Sequence, residues 1–342
     1  MSERSRGNVR RILLGTSVVG AAVAAGAAVR SRRARTERAF GAAPNPALRD
    51  PIRRPETIPV ISADGHPIHT LAYGDPDAPV IVLSHGWTCS TQFWYPQVNA
   101  LADEFRVITY DQRGHGRTGL GPTPLDPVLL GDDLDAVLSA TVPDGRKAVV
   151  VGHSMGGMSI MSWALKYPER VQQKAGAVML ASTGTDRLVA ETTVIPRPKR
   201  APAVPVPVGR VILGSRAPMV APSPLTRRGV QYVAMAAGST REEIDFCVRI
   251  VQGCSPATRG GWGRALSTID VGASLDNLTV PTTVLVGNAD RLTPPVHSVR
   301  MSDTLDAAGH LERLIRLPKI GHMATIEAPD AVNAEIVRLA RL

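Results

Sequence analysis

Hydrophobic residues come in short blocks along most of this chain, and the blocks alternate between two spacings. Runs at 58–61, 68–73, Val80–Ser84, Arg106–Tyr110, 148–152, Ala175–Ala181, 282–286 and Leu311–Leu317 are short and apolar, with turn formers or charges at their ends. They predict eight strands. Apolar positions three and four apart over Pro127–Thr141, 155–167, 294–306 and 329–342 predict helices. Strands that alternate with helices in this way form a mostly parallel sheet covered on both faces. The first two strands, joined through Asp64 and Gly65, read as a hairpin ahead of the parallel crossovers.

The rhythm breaks twice. After the sixth strand, residues 186–263 hold prolines at 196, 198, 202, 205, 207, 218, 222 and 224, followed by helical spacing near 225–236 and 241–253. This predicts an inserted cap over the carboxyl ends of the strands, where open α/β sheets bind their ligands. The other break is N-terminal. Residues 12–29, from Ile12 to Val29, carry no charge and would reach ~27 Å as a helix, barely the hydrocarbon core of a bilayer. A membrane anchor is the favoured expectation, ahead of a cleaved export signal and of an organellar presequence or plain helix. The expected location is accordingly membrane-associated, with exported or cytoplasmic placement as the alternatives. The proline-rich stretch 41–57 reads as a linker, and the folded domain is expected over 58–342.

Composition narrows the classes. At 342 residues, 44% hydrophobic and 20% charged, the chain suits a large α/β domain with a smaller insertion, and neither a disordered nor a polytopic membrane protein. A net charge of +9 could mark a nucleic-acid partner, so its location matters. Residues 1–40 hold nine arginines against Glu3 and Glu37, which places +7 in that basic N-terminal segment and leaves +2 for the rest. With no basic face interleaved with aromatics, no nucleic-acid partner is expected. Cys89, Cys247 and Cys254 lack CxxC or metal-ligand spacing, so no metal is expected, and buried free thiols are preferred over a Cys247 to Cys254 bridge.

Candidate chemistry centres on residues 149–157, where Gly152-His153-Ser154-Met155-Gly156 fits G-x-S-x-G between a predicted strand and a predicted helix. A strand that turns abruptly into a helix strains the backbone at Ser154 and exposes its Oγ. It also brings the first helical N–H, that of Met155, beside the position of a developing oxyanion. A serine hydroxyl needs a base, and the base needs an acid to fix its tautomer. Asp290, in Gly287-Asn288-Ala289-Asp290-Arg291, follows the seventh strand, and His322, in Lys319-Ile320-Gly321-His322-Met323, follows the eighth. Order and placement make Ser154, Asp290 and His322 the candidate triad, with Asp186 as a rival acid. The second oxyanion donor is expected from Trp87 N–H in the loop after the third strand, with Gly86 leaving room for substrate. Asp111 and Arg113, after the fourth strand, read as loop-stabilising ion pairs.

HGW at 85–87, DQRGHGR at 111–117, GHSMGG at 152–157, GNADRLTP at 287–294 and GH at 321–322 together resemble the α/β-hydrolase superfamily. The resemblance covers 58–342 and is nearest the actinobacterial serine esterase and lipase branch beside the cofactor-free haloperoxidases. It implies an eight-stranded α/β-hydrolase fold and hydrolysis of carboxylic esters through an acyl-serine, with no cofactor. Epoxide hydrolases and haloalkane dehalogenases of this fold carry aspartate at the elbow, so Ser154 argues against both. Alternatives that share the motif set are a perhydrolase or haloperoxidase-like enzyme with the same triad and a non-catalytic ligand-binding protein. Residues 186–264 hold twelve basic against five acidic side chains among apolar pieces. That balance suits a small-molecule ester substrate of lipid character, including an anionic one.

Overall fold

Eight strands form one sheet in the order β1-β2-β4-β3-β5-β6-β7-β8 in a computed structural model that describes residues 45–194, 206–216 and 223–342. The strands are β1 (Glu56–Ile58), β2 (Thr70–Tyr73), β3 (Val80–Ser84), β4 (Arg106–Tyr110), β5 (Ala148–His153), β6 (Ala175–Ala181), β7 (Thr282–Gly287) and β8 (Leu311–Leu317). β1, β2 and β4 pair antiparallel, and every other pairing is parallel. This is the mostly parallel α/β sheet that the alternating spacing predicts.

Period-two alternation sorts the strand residues between two cores. Val80, Val82, Ile108, Val150, Val178 and Val284 fall in one buried cluster. Their neighbours Ile81, Leu83, Val107, Val149, Val151, Ala177, Met179 and Leu285 fall in the other. Each large aliphatic side chain buried in this way stabilises the fold by about 1.5–3 kcal/mol, and helices on both faces supply the covering surface. The helix Pro127–Thr141 packs on Met155–Lys166 on one face, and Pro329–Leu339 packs against Tyr95–Leu101 on the other.

The edge departs from expectation. β1 covers Glu56–Ile58 rather than 58–61, because Pro59 has no N–H to donate and the pairing stops there. It therefore begins inside the stretch expected as linker, and Leu48 upstream is buried as well. The predicted hairpin turn persists as an isolated bridge, Ile61 to Pro67, closed around Gly65 at φ 80°. Among the described residues, five α-helices lie between β6 and β7: Leu188–Glu191, Val206–Leu213, Pro224–Ala234, Arg241–Gly253 and Pro256–Leu266. Cys89, Cys247 and Cys254 are buried as free thiols.

The membrane-anchor expectation is corrected. Among the described residues no helix is long and apolar enough to cross a membrane, and residues 12–29 lie outside the described residues. The composition of that run accounts for the misleading signal: half of it is Ala and Gly, whose side chains gain little on leaving water. Neither a transmembrane segment nor a membrane-associated location is retained.

Candidate active site

β3 is the switch point of the sheet, since the chain passes from it to β4 on one side and then crosses back to β5 on the other. In such sheets a crevice opens at the carboxyl ends of the strands on either side of the switch. The loops after β3, β4, β5, β6, β7 and β8 supply the contacts there.

The turn after β5 has the backbone of a strained elbow. Ser154 sits at φ 52° and ψ −117°, a conformation that costs an L-residue about 1–3 kcal/mol. The surroundings hold it there: Ser154 N–H donates to Ala181 O at 2.9 Å, and Thr183 Oγ1 donates to Ser154 O at 2.7 Å. Gly156 allows the close approach of β3, because a Cβ on it would lie 1.9 Å from Ser84 O. Met155 opens the helix Met155–Lys166, so its N–H has no partner within that helix.

Asp290 and His322 meet. His322 Nδ1 lies 2.8 Å from Asp290 Oδ2, and both side chains are buried. The carboxylate is fully tied: Oδ1 accepts from the N–H of Leu292 and of Thr293, each at 2.9 Å, and Oδ2 also accepts from Thr293 Oγ1 at 2.9 Å. With Nδ1–H directed at the carboxylate, the lone pair of His322 is on Nε2. The rival acid goes elsewhere, since Asp186 accepts from Arg300 at 2.7 Å and forms an ion pair with Arg187 at 3.3 Å.

The elbow and the histidine loop touch through His153, the residue before the serine. Its Nε2 is 2.9 Å from His322 O, and the two rings are 4.9 Å apart. The His322 loop is also stitched to the insertion. Ala234 O accepts from the N–H groups of His322 and Met323 at 3.0 and 3.2 Å. Glu327 accepts from Ala236 N–H and Ser239 Oγ on one side and from Gly321 N–H on the other. Burial raises the Glu327 carboxyl above its ordinary value despite these donors.

The loop after β3 lies against the elbow, since a Cβ on Gly86 would come within 3.2 Å of Ser154 Cβ. Two buried histidines brace it. His85 Nε2 accepts from Gln112 N–H at 3.0 Å while its Nδ1 donates to Gly86 O. His115 Nε2 accepts from Thr88 N–H at 3.1 Å. Gln112 closes the set by donating to His85 O and accepting from Ser159 Oγ. Trp87, the expected oxyanion donor, has its indole N–H on Arg259 O at 3.1 Å, so its side chain is clamped by the insertion.

Of the two residues expected in ion pairs, one departs from expectation. Arg113 is an ion-pair residue, bound to Asp64 and Asp133. Asp111 is not: its carboxylate accepts backbone N–H groups of Thr91 and Arg117, closing the loop around itself. The bracing roles of His153, His115, Gln112 and Glu327 had no sequence signal beyond their proximity to the motifs, because each acts on backbone groups distant in the chain.

Comparison with known proteins assigns the family. The model of the alpha/beta hydrolase family matches residues 81–335. A protein of Caulobacter sp. (strain K31), provisionally named carbamate hydrolase RutD, is 28% identical over 262 residues, covering 76% of this chain and 90% of that one. The bifunctional esterase/perhydrolase DCH of Acinetobacter calcoaceticus is 38% identical over 117 residues, covering 34% of this chain and 42% of that one. Among solved structures, a thermophilic esterase from Thermogutta terrifontis superposes with a TM-score of 0.65 at 22% identity, over 84% of this chain and 98% of that one. That likeness speaks for the fold alone. The family match spans well over half of the sequence: this chain belongs to the alpha/beta hydrolase family and is a hydrolase.

Proposed function

We propose that this protein is a serine hydrolase that cleaves carboxylic esters of small acyl substrates through an acyl-Ser154 intermediate. The observation that carries the reading is the buried contact of His322 Nδ1 with Asp290 Oδ2 at 2.8 Å, on a loop that touches the residue preceding a serine at φ 52°. In this reading His322 Nε2 takes the proton from Ser154 Oγ as the oxygen attacks the ester carbonyl carbon. The tetrahedral oxyanion accepts hydrogen bonds from the N–H groups of Trp87 and Met155, a contribution worth about 10²–10³ in rate per donor. The imidazolium, stabilised by Asp290, then protonates the departing alcohol, and water repeats the sequence on the acyl-serine.

A second reading has a specific support. The DCH relative is named both esterase and perhydrolase, and peroxide in place of water in the second half-reaction would give a peracid on the same residues.

The test is direct. A fluorophosphonate probe is expected to label Ser154, and short p-nitrophenyl esters to turn over, with Ser154→Ala abolishing both. His322→Ala is expected to lower kcat by about 10⁴ or more. A folded protein left unlabelled at Ser154 removes the proposal, while halogenation in peroxide and acetate would favour the second reading.

A further inference from the structure

His153 is wholly buried between the nucleophile and the histidine loop, yet the proposed mechanism leaves it without a task. Its ring is wedged between Phe93, 4.6 Å away centre to centre, and His322, 4.9 Å away. Nε2 is 2.9 Å from His322 O. A carbonyl can only accept, so the proton must be on Nε2. Nδ1 is buried with no hydrogen-bond partner and faces Gly86, where an added Cβ would come within 2.8 Å of it. A proton on Nδ1 would point at carbon and remain unsatisfied, which fixes the tautomer.

We infer that His153 is a positioning residue for His322: its Nε2–H holds the main-chain oxygen of the base to the elbow that presents Ser154. Nucleophile and base are then registered through adjacent residues of one strand end rather than through two independent loops. The cap side supplies the opposing hold on the His322 N–H through Ala234 O. The arrangement also requires His153 to stay neutral, since a cation there would repel the imidazolium that His322 becomes. Burial achieves this, helped by the nearby His322 and His85, and holds His153 well below the ordinary histidine value.

This inference rests on the serine-hydrolase reading, and the test separates the two. His153→Phe keeps the ring stacked on Phe93 and deletes the donor, whereas His153→Gln places an amide N–H near the same point. For His153→Phe, kcat on a p-nitrophenyl ester is expected to fall about ten- to hundredfold with KM within about twofold, as for a reacting group displaced by a fraction of an ångström. His153→Gln is expected to restore kcat to within about threefold. A folded His153→Phe enzyme with unchanged kcat, or Phe and Gln variants equally impaired, overturns the positioning role. Should the Phe variant not fold, ¹⁵N NMR of the wild-type histidines decides: a neutral Nε2–H ring at pH 5.5 supports the role, and an Nδ1–H tautomer or an imidazolium overturns it. Wild-type protein with no ester turnover and no label on Ser154 would fail the hydrolase reading, and the tautomer measurement would still decide the contact.

Discussion

At the scale of the residue, the elbow concentrates strain on a side chain that folding alone would not select. Ser154 holds φ 52° and ψ −117°, which a glycine adopts freely and any residue with a Cβ does not. Relief of that strain is worth about 1–3 kcal/mol, and the extra unfolded-state entropy of glycine offsets about 0.5–1 kcal/mol of it. Ser154→Gly is therefore expected to be about 1 kcal/mol more stable than Ser154→Ala, although both lack the nucleophile. Urea unfolding of the pair measures this, and a glycine variant no more stable than the alanine variant would mean that the turn carries no strain.

At the scale of the element, Arg113 fastens pieces that the strand ladder does not join. It reaches from the loop after β4 to Asp64 on the opening hairpin and to Asp133 on the helix Pro127–Thr141, with the Arg113 side chain 0% and that of Asp133 3% exposed. Ser62 adds a donor to Asp133 at 2.6 Å. The two carboxyls respond differently. Arg113 holds Asp64 well below the usual carboxylate range, whereas at Asp133 burial outweighs the guanidinium and pushes the carboxyl up. Removing the guanidinium leaves a buried carboxylate without its partner, so Arg113→Met is expected to cost about 3–5 kcal/mol. The double variant Arg113→Met with Asp133→Leu is expected to recover part of that loss, because the stranded charge goes with it. Chemical denaturation of the three proteins decides, and a double variant worse than the single one would contradict the account.

The same scale explains what could be read in advance. Strands in the middle of the sheet were legible because both faces are buried and the apolar runs are unbroken. The edge strand starts two residues and ends three residues earlier than expected, because an edge strand needs only a few ladder bonds and leaves little pattern. Ser154, Asp290 and His322 stood out because each follows a strand at the same end of the sheet. His153, Ala234 and Glu327 did not, because what they do is bond to main-chain atoms of loops far away, and backbone partners leave no mark on a sequence. Arg113 was legible as a paired charge, but its partners were not, since Asp64 lies 49 residues away.

At the scale of the whole molecule, the switch point is built around neutral histidines, and that ties stability to pH. Burial, reinforced by neighbouring His115, pushes His85 down to about 3. Burial pushes His115 down to about 4 against the hydrogen bonds that favour its charge, and His153 is held well below the ordinary histidine value for the reasons given above. In the unfolded chain all three titrate near 6.5. These folded-state values are depressed, so the unfolded state binds more protons below about pH 6.5. The stability contribution is therefore complete above that value and is lost as pH falls towards 4 and then 3. His85 and His115 each remove about 2 kcal/mol between pH 7.5 and 5, or roughly 4 kcal/mol for the two, and His153 acts in the same direction. Asp133 and Glu327, raised by burial, work in the opposite sense once they protonate in the fold. The net expectation is a fall of roughly 2–4 kcal/mol, a large part of the 5–15 kcal/mol that a domain of this kind possesses. Urea unfolding at pH 7.5, 6.0 and 5.0 should give a falling free energy with proton uptake on unfolding at the acidic end. A profile flat across that window would mean that these rings accept protons inside the fold, and that the neutral scaffold inferred around Ser154 and His322 does not exist.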